Sequence, residues 1–168
     1  SAIYQLAKYI DQQQLTLTFQ PQAIFTTSET LLPFHRQLIE KTFSCPVYNQ
    51  YASAEGAPFI TQCNAGNLHY NLDTGVIEVL NTAAGQEMLV TSFTTHGTPL
   101  IRYQIGDLIQ FKKGVCSCGS SHPLVESIDG RQVESLTSSQ YGNVSLSHLA
   151  DVIKGLPNCV RSVQFQQY

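Results

Sequence analysis

Apolar residues recur at helical spacing at the start of the chain, where Ile3, Leu6, Ala7 and Ile10 share one side of residues 2–14. That period predicts one amphipathic helix. A short strand is predicted at 23–27, after Pro21. Ser28, Glu29 and Thr30 then lead into residues 31–43, whose Leu32, Leu38, Ile39 and Phe43 with flanking charges predict a second helix. Residues 46–51 read as a strand ending at the turn Ser53-Ala54-Glu55-Gly56. Strand, helix and strand in this order make an α/β unit with a loop at a strand's carboxyl end, where open α/β sheets collect ligands.

Beyond Pro58 the pattern changes to short runs rich in β-branched and aromatic residues: 59–61, 68–70, 76–80, 88–93, 100–103 and 108–111. Asp73-Thr74-Gly75 and Ala84-Gly85 punctuate them as turns. A third composition begins at Gly130, with a helix expected over 145–153 and a strand over 159–165. The expected organisation is an α/β part over 1–57, a β-rich part over 58–129 and a small α+β appendage over 130–168. No internal repeat or low-complexity tract interrupts it.

Composition narrows the partners. The chain has 168 residues, 42% hydrophobic, which suffices for a core. A net charge of -3 argues against a grip on duplex nucleic acid or on an anionic membrane, so small ligands are the expected partners. No stretch is apolar for long enough to span a bilayer, and the first residues lack the basic-then-apolar order of a secretory signal. Five cysteines, an odd number without framework spacing, fit a reducing cytoplasm.

Two of those cysteines stand out. Cys116-Ser117-Cys118-Gly119 places two thiols one residue apart on a glycine-bearing turn, and Cys63 and His69 lie upstream. Together they offer the Cys3His donor set of a tetrahedral zinc site. The alternative on spacing alone is scattered buried cysteines and a loop histidine, because a CxC pair is tighter than the usual zinc-knuckle spacing. His122, close to the CxCG loop, competes with His69 for the histidine place. Cys45 and Cys159 read as buried free thiols. A serine or cysteine hydrolase is disfavoured: there is no Gly-x-Ser-x-Gly elbow, and His35, His69, His96, His122 and His148 carry no partner signature.

Five segments in order carry a family resemblance: 51–56 (Tyr-Ala-Ser-Ala-Glu-Gly), Cys63 with Leu68-His69, 99–107 (Pro-Leu-Ile-Arg-Tyr-Gln-Ile-Gly-Asp), 116–119 and Gly130-Arg131. They resemble the adenylate-forming (AMP-binding) ligases over almost the whole chain. The order and spacing look most like the phenylacetate:coenzyme A ligase branch, including its capsular-polysaccharide-associated relatives labelled coenzyme F390 synthetase. The fold this implies is α/β and β-rich: the second half of a ligase's large subdomain over 1–129, and the start of its small α+β carboxyl-terminal subdomain over 130–168.

The resemblance also implies roles. Tyr51 corresponds to the aromatic that packs on adenine, with Ala52 and Ser53 in the same nucleotide-side turn. Glu55 matches the carboxylate that helps hold magnesium near the ATP phosphates. Asp107 matches the acceptor of the ribose hydroxyls, and Arg131 the arginine near the nucleotide. Glu29, with Ser28 and Thr30, falls where a nucleotide-side loop is expected. Cys63, His69, Cys116 and Cys118 resemble the branch's shared zinc site, structural because four protein ligands leave no open position.

Departures from the pattern bear on activity. Ala54 stands where a hydroxyl residue is usual, Gln104 where an arginine is common, and Val133 near the usual hinge aspartate. Neither the Gly-, Ser- and Thr-rich phosphate loop nor the catalytic lysine is found, so the chain is expected to be a partial ligase, inactive alone. Complete members join a carboxylic acid to ATP as an acyl adenylate and then to a thiol such as coenzyme A. The other reading is a zinc-stabilised binding or interaction module derived from such a ligase.

Overall fold

The computed structural model describes residues 2–129, 135–140, 142–145, 149, 160 and 163–166. Helix α1 spans Ala2–Gln12, and α2 spans Pro33–Phe43. Pro33 opens α2 because its missing N–H would have no partner in a first turn. Ser44, in the left-handed region at φ 52°, closes the helix with its N–H on the Glu40 carbonyl at 2.9 Å. Ala7 and Ile10 of α1 meet Ile39 and Phe43 of α2 in a core that also holds Cys45 and Val47. Burial pushes the Cys45 thiol pKa up.

The strands are β1 Ile24–Thr26, β2 Val47–Ala52, β3 Phe59–Gln62, β4 Leu68–Tyr70, β5 Gly75–Thr82, β6 Gly85–Ser92, β7 Tyr103–Lys112 and β8 Leu124–Asp129. They form one eight-stranded sheet in the order β1-β2-β3-β4-β8-β7-β6-β5. Strands β1 and β2 pair in parallel, joined through α2, as the strand-helix-strand reading of the sequence requires. All other pairings within the sheet are antiparallel. β9 Ser135–Ser138 and β10 Gly142–Ser145 make a separate two-stranded sheet. The chain is thus α/β and rich in sheet, with a second core of Ile60, Tyr70, Met88, Val90, Ile105, Ile109 and Val125 on one face.

Several local expectations change. Residues 100–102 form no strand: Arg102 turns at φ 50°, and β7 begins only at Tyr103. From there it runs unbroken through the run predicted at 108–111. Strand β8 was not expected, because its first residues Leu124 and Val125 are both buried and break the alternation that marks a half-buried strand. Ser145 ends β10 rather than starting a helix. The rest of the helix expected over 145–153, apart from Leu149, lies outside the described residues, as do Cys159, His148, Gly130, Arg131 and Val133. Val160 and residues 163–166 are described but form no strand.

Ile109 is fully buried in the sheet core, whereas Val115 is 94% exposed. Ile109→Ala is therefore expected to cost about 2–5 kcal/mol. Val115→Ser should stay within about 0.5 kcal/mol of the parent. Urea unfolding of the two variants checks the contrast.

Candidate metal centre and nucleotide face

Cys63 follows β3 directly and starts a turn in which the Gly66 N–H returns to the Cys63 carbonyl at 2.9 Å. His69 is the middle residue of β4. Its neighbours Leu68 and Tyr70 face the sheet core, so alternation sends His69 to the opposite face. It is nevertheless only 3% exposed, because the loop 113–123 between β7 and β8 covers it. Cys116 and Cys118 sit on that loop, where the Gly119 N–H closes a turn on the Cys116 carbonyl at 3.2 Å.

The donor atoms of Cys63, His69, Cys116 and Cys118 all lie within 4.8 Å of one another. Cys63 Sγ stands 3.7 Å from Cys116 Sγ, and Cys118 Sγ 3.4 Å from His69 Nε2. Metal–sulfur bonds of about 2.3 Å and metal–nitrogen bonds of about 2.0 Å imply tetrahedron edges of about 3.8 Å and about 3.5 Å. The two observed separations match these edges, and no disulfide joins the thiols. His69 Nδ1 lies 3.1 Å from the His122 carbonyl and donates to it in the tautomer that leaves the Nε2 lone pair directed at the cluster. His122 therefore contributes its carbonyl, and its ring is not among the four donors.

Electrostatics follow the same geometry. Hydrogen bonding from the Cys118 backbone, aided by Cys118, His69 and Asn67 side chains, lowers the Cys116 pKa to about 6. Burial opposes charge on His69, but its bonds to the His122 carbonyl and to Cys116 and Cys63 outweigh it, and its pKa is raised. The Ser120 N–H favours a Cys118 thiolate, yet the Cys116 sulfur and burial prevail and raise its pKa. Asn67, not anticipated from the sequence, donates to Cys116 Sγ at 3.2 Å. Its place between Cys63 and His69 was the only available signal.

Glu29, Ala52, Ser53 and Glu55 fall on loops and a strand end, Tyr51 is next to last in β2, and Asp107, expected where a strand ends, lies in the middle of β7. Glu29 is exposed in the segment after β1; Ala52 ends β2, and Ser53 and Glu55 lie in the turn that follows. Because β1 and β2 are parallel, their carboxyl ends are neighbours. Ser53 Oγ contacts Glu55 Oε2 and the Ala57 carbonyl, both at 2.8 Å, and accepts from the Glu55 N–H at 3.2 Å. Tyr51 packs against the sheet core, and its hydroxyl donates to Asp107 Oδ2.

That bond links β2 to β7 although β3, β4 and β8 lie between them in the sheet order, so the sheet curls strongly. A bulge helps to aim Asp107. Glu87 pairs Leu108 and Leu89 pairs Gln104, so two steps along β6 are met by four along β7. Gly106 sits in the bulge at φ 88°.

No family model matches the chain. Among solved structures, its fold is that of part of an acyl-CoA ligase. It superposes on 2-hydroxyisobutyryl-CoA ligase in the postadenylation state with R3-HIB-AMP at a TM-score of 0.75 and 20% identity, covering 92% of this chain and 36% of that one. An open conformation of the same ligase, with 2-HIB-AMP and CoA, gives a TM-score of 0.66 at 20% identity, with 92% and 37% covered. In sequence the chain is similar to Protein CapK of Staphylococcus aureus, 40% identical over 99% of its own length and 38% of CapK. The resemblance to adenylate-forming ligases, drawn above from residues alone, is thereby borne out, and the chain spans well under half the length of these relatives.

A Cβ added at Gly106 would meet no atom within 4 Å, so Gly106→Ala pays only for its left-handed backbone, about 1–2 kcal/mol. Gly97 is equally open, and its φ lies outside the left-handed region, so Gly97→Ala should be neutral. Thermal melts of both variants test whether the bulge is held by glycine's freedom.

Proposed function

We propose that this chain is the nucleotide-contacting, metal-stapled segment of an ATP-dependent acid–thiol ligase, incomplete as a catalyst by itself. The bond between Tyr51 and Asp107 carries this reading, because it joins the adenine and ribose candidates across a sheet that would otherwise hold them apart. Tyr51, Ala52 and Ser53 would meet the base and sugar, Asp107 the ribose hydroxyls, Glu29 the loop side, and Glu55 a magnesium ion with the phosphates. Arg131 is assigned to the same nucleotide by the family pattern alone. The substrates of the whole enzyme would be ATP, a small carboxylic acid and a thiol such as coenzyme A. Neither nucleic acid nor a membrane is needed, and among the described residues no helix is long and apolar enough to cross one. A reducing cytoplasm suits its free thiols.

Zinc is the ion that the donor set fits, held by Cys63, His69, Cys116 and Cys118. Its contribution is structural, since four protein ligands leave no place for water or substrate. The completeness of this cluster also favours a second reading, a zinc-stabilised interaction module descended from a ligase. Firm zinc without any nucleotide binding would select it.

Protein purified without added metal should carry close to one zinc per chain, and chelation should lower its melting temperature. His69→Ala should lose the metal while His122→Ala keeps it; elemental analysis showing the reverse would reassign the ligand. Calorimetry with magnesium should show weak binding that barely separates AMP from ATP, because a triphosphate needs backbone donors from a phosphate loop. Asp107→Ala should weaken AMP binding several-fold, and an unchanged affinity would remove the ribose assignment.

A further inference from the structure

Glu55 lies in a turn that Ser53 shapes from within. The Ser53 hydroxyl accepts from the Glu55 N–H at 3.2 Å and stands 2.8 Å from both Glu55 Oε2 and the Ala57 carbonyl. It has one proton, so it donates to only one of the two at a time. A cation that took the Glu55 carboxylate would turn that proton toward Ala57, and the Glu55 side chain would lose its tie to the turn. Its aim would then depend on what holds the Glu55–Gly56 backbone from outside.

That outside hold comes from the loop leaving β6. The Thr94 hydroxyl donates to the Gly56 carbonyl at 3.1 Å, across 38 residues of sequence. Thr94 is itself fixed: its N–H donates to Ser92 Oγ at 3.2 Å, and its hydroxyl stands 3.2 Å from the same oxygen. The N–H groups of Ser92 and Phe93 bond the Leu100 and Thr74 carbonyls at 3.0 and 3.1 Å. The two segments meet closely. A Cβ at Gly56 would lie 2.5 Å from Thr94 Oγ1 and 2.9 Å from Ser92 Oγ, and a Cβ at Gly75, the first residue of β5, would lie 2.8 Å from the Ala57 Cβ. Glycine at both places permits this approach. Thr94 is exposed, so the bond contributes little to stability; what it fixes is the position of the residue that follows Glu55.

We propose that Thr94 is a positioning residue for the magnesium carboxylate: by holding the Gly56 carbonyl, it keeps Glu55 directed at the ion once Ser53 has released the side chain. A carboxylate oxygen is the kind of donor that such a hard cation takes. The proposal rests on the ligase reading above, and it adds a residue far from the Glu55 turn in sequence, on the exit loop of β6, on which that carboxylate depends.

Manganese, a paramagnetic stand-in for magnesium that also takes oxygen donors, tests it. Free manganese is followed by electron paramagnetic resonance as the zinc-loaded chain is titrated in the presence of AMP, and AMP affinity without the ion is measured by calorimetry. Thr94→Val keeps the side chain's shape and removes the donor. It should weaken manganese binding about fivefold, the worth of one hydrogen bond, with zinc content, melting temperature and metal-free AMP affinity unchanged. Thr94→Ser keeps the donor and should bind manganese as the parent does. Manganese affinity unmoved by Thr94→Val, an equal loss in Thr94→Ser, or a parallel loss of AMP in the absence of the ion would each overturn the positioning role. Glu55→Gln separates that role from the reading beneath it. If Glu55→Gln loses the ion while Thr94→Val keeps it, the positioning role alone falls. If Glu55→Gln keeps it, or the parent chain takes up no manganese, the magnesium assignment falls and the positioning role with it.

Discussion

Strand β8 is the constraint on which the rest of the molecule depends. It lies between β4 and β7, pairing Leu68 with Val125 and His69 with Leu124 on one side, and Ile109 with Ile128 on the other. Without it the three-residue β4 would have only β3 beside it, and the two ends of the sheet would be separate ribbons. With it, Cys63 at the start of the β3–β4 turn and His69 in β4 come beside the loop carrying Cys116 and Cys118. The same insertion sets how far the sheet must curl for Tyr51 to reach Asp107.

The loop before β8 is held by an unusual means. Between Lys113 and His122 the only buried side chain is Cys116, and Val115 projects into solvent. A loop with no apolar anchor gains little from the hydrophobic effect and must offset its ordering entropy in another way. Here four donor atoms converge on one point, so metal ligation can supply as folding free energy what apolar burial does not. The hydrogen bonds from Asn67 and Ser120 to the sulfurs then restrain the thiolates from outside the cluster.

Most of the elements were legible in the sequence because their burial follows a simple period. Ile39 and Phe43 recur at helical spacing and are buried together, and the turn residues around Asp73 and Ala84 fall between strands as read. Residues 100–102 misled because Leu100 and Ile101 have strand propensity, whereas Ile101 is exposed at a turn that Arg102 makes with a positive φ. The Cys63, His69, Cys116 and Cys118 cluster was legible from residue type and from the family pattern; what spacing alone left open between His69 and His122 depends on which one lies on a strand facing the loop. Tyr51 and Asp107 were associated only through the family resemblance. No local pattern encodes a contact across three intervening strands.

The two candidate functions occupy opposite faces of the same sheet, and this determines how they can influence each other. Tyr51 belongs to the face of the Ile60 and Tyr70 core, whereas His69, one residue from Tyr70, belongs to the other. Backbone pairing connects the two sides. The shortest such route is β8, which is bonded both to the strand that holds His69 and to the strand that holds Asp107. A staple at the β4–β8 junction would fix the register of β8, and through it the position of the β7 bulge that aims Asp107. The candidate metal centre is thus linked through β8 to the candidate nucleotide face on the other side of the sheet.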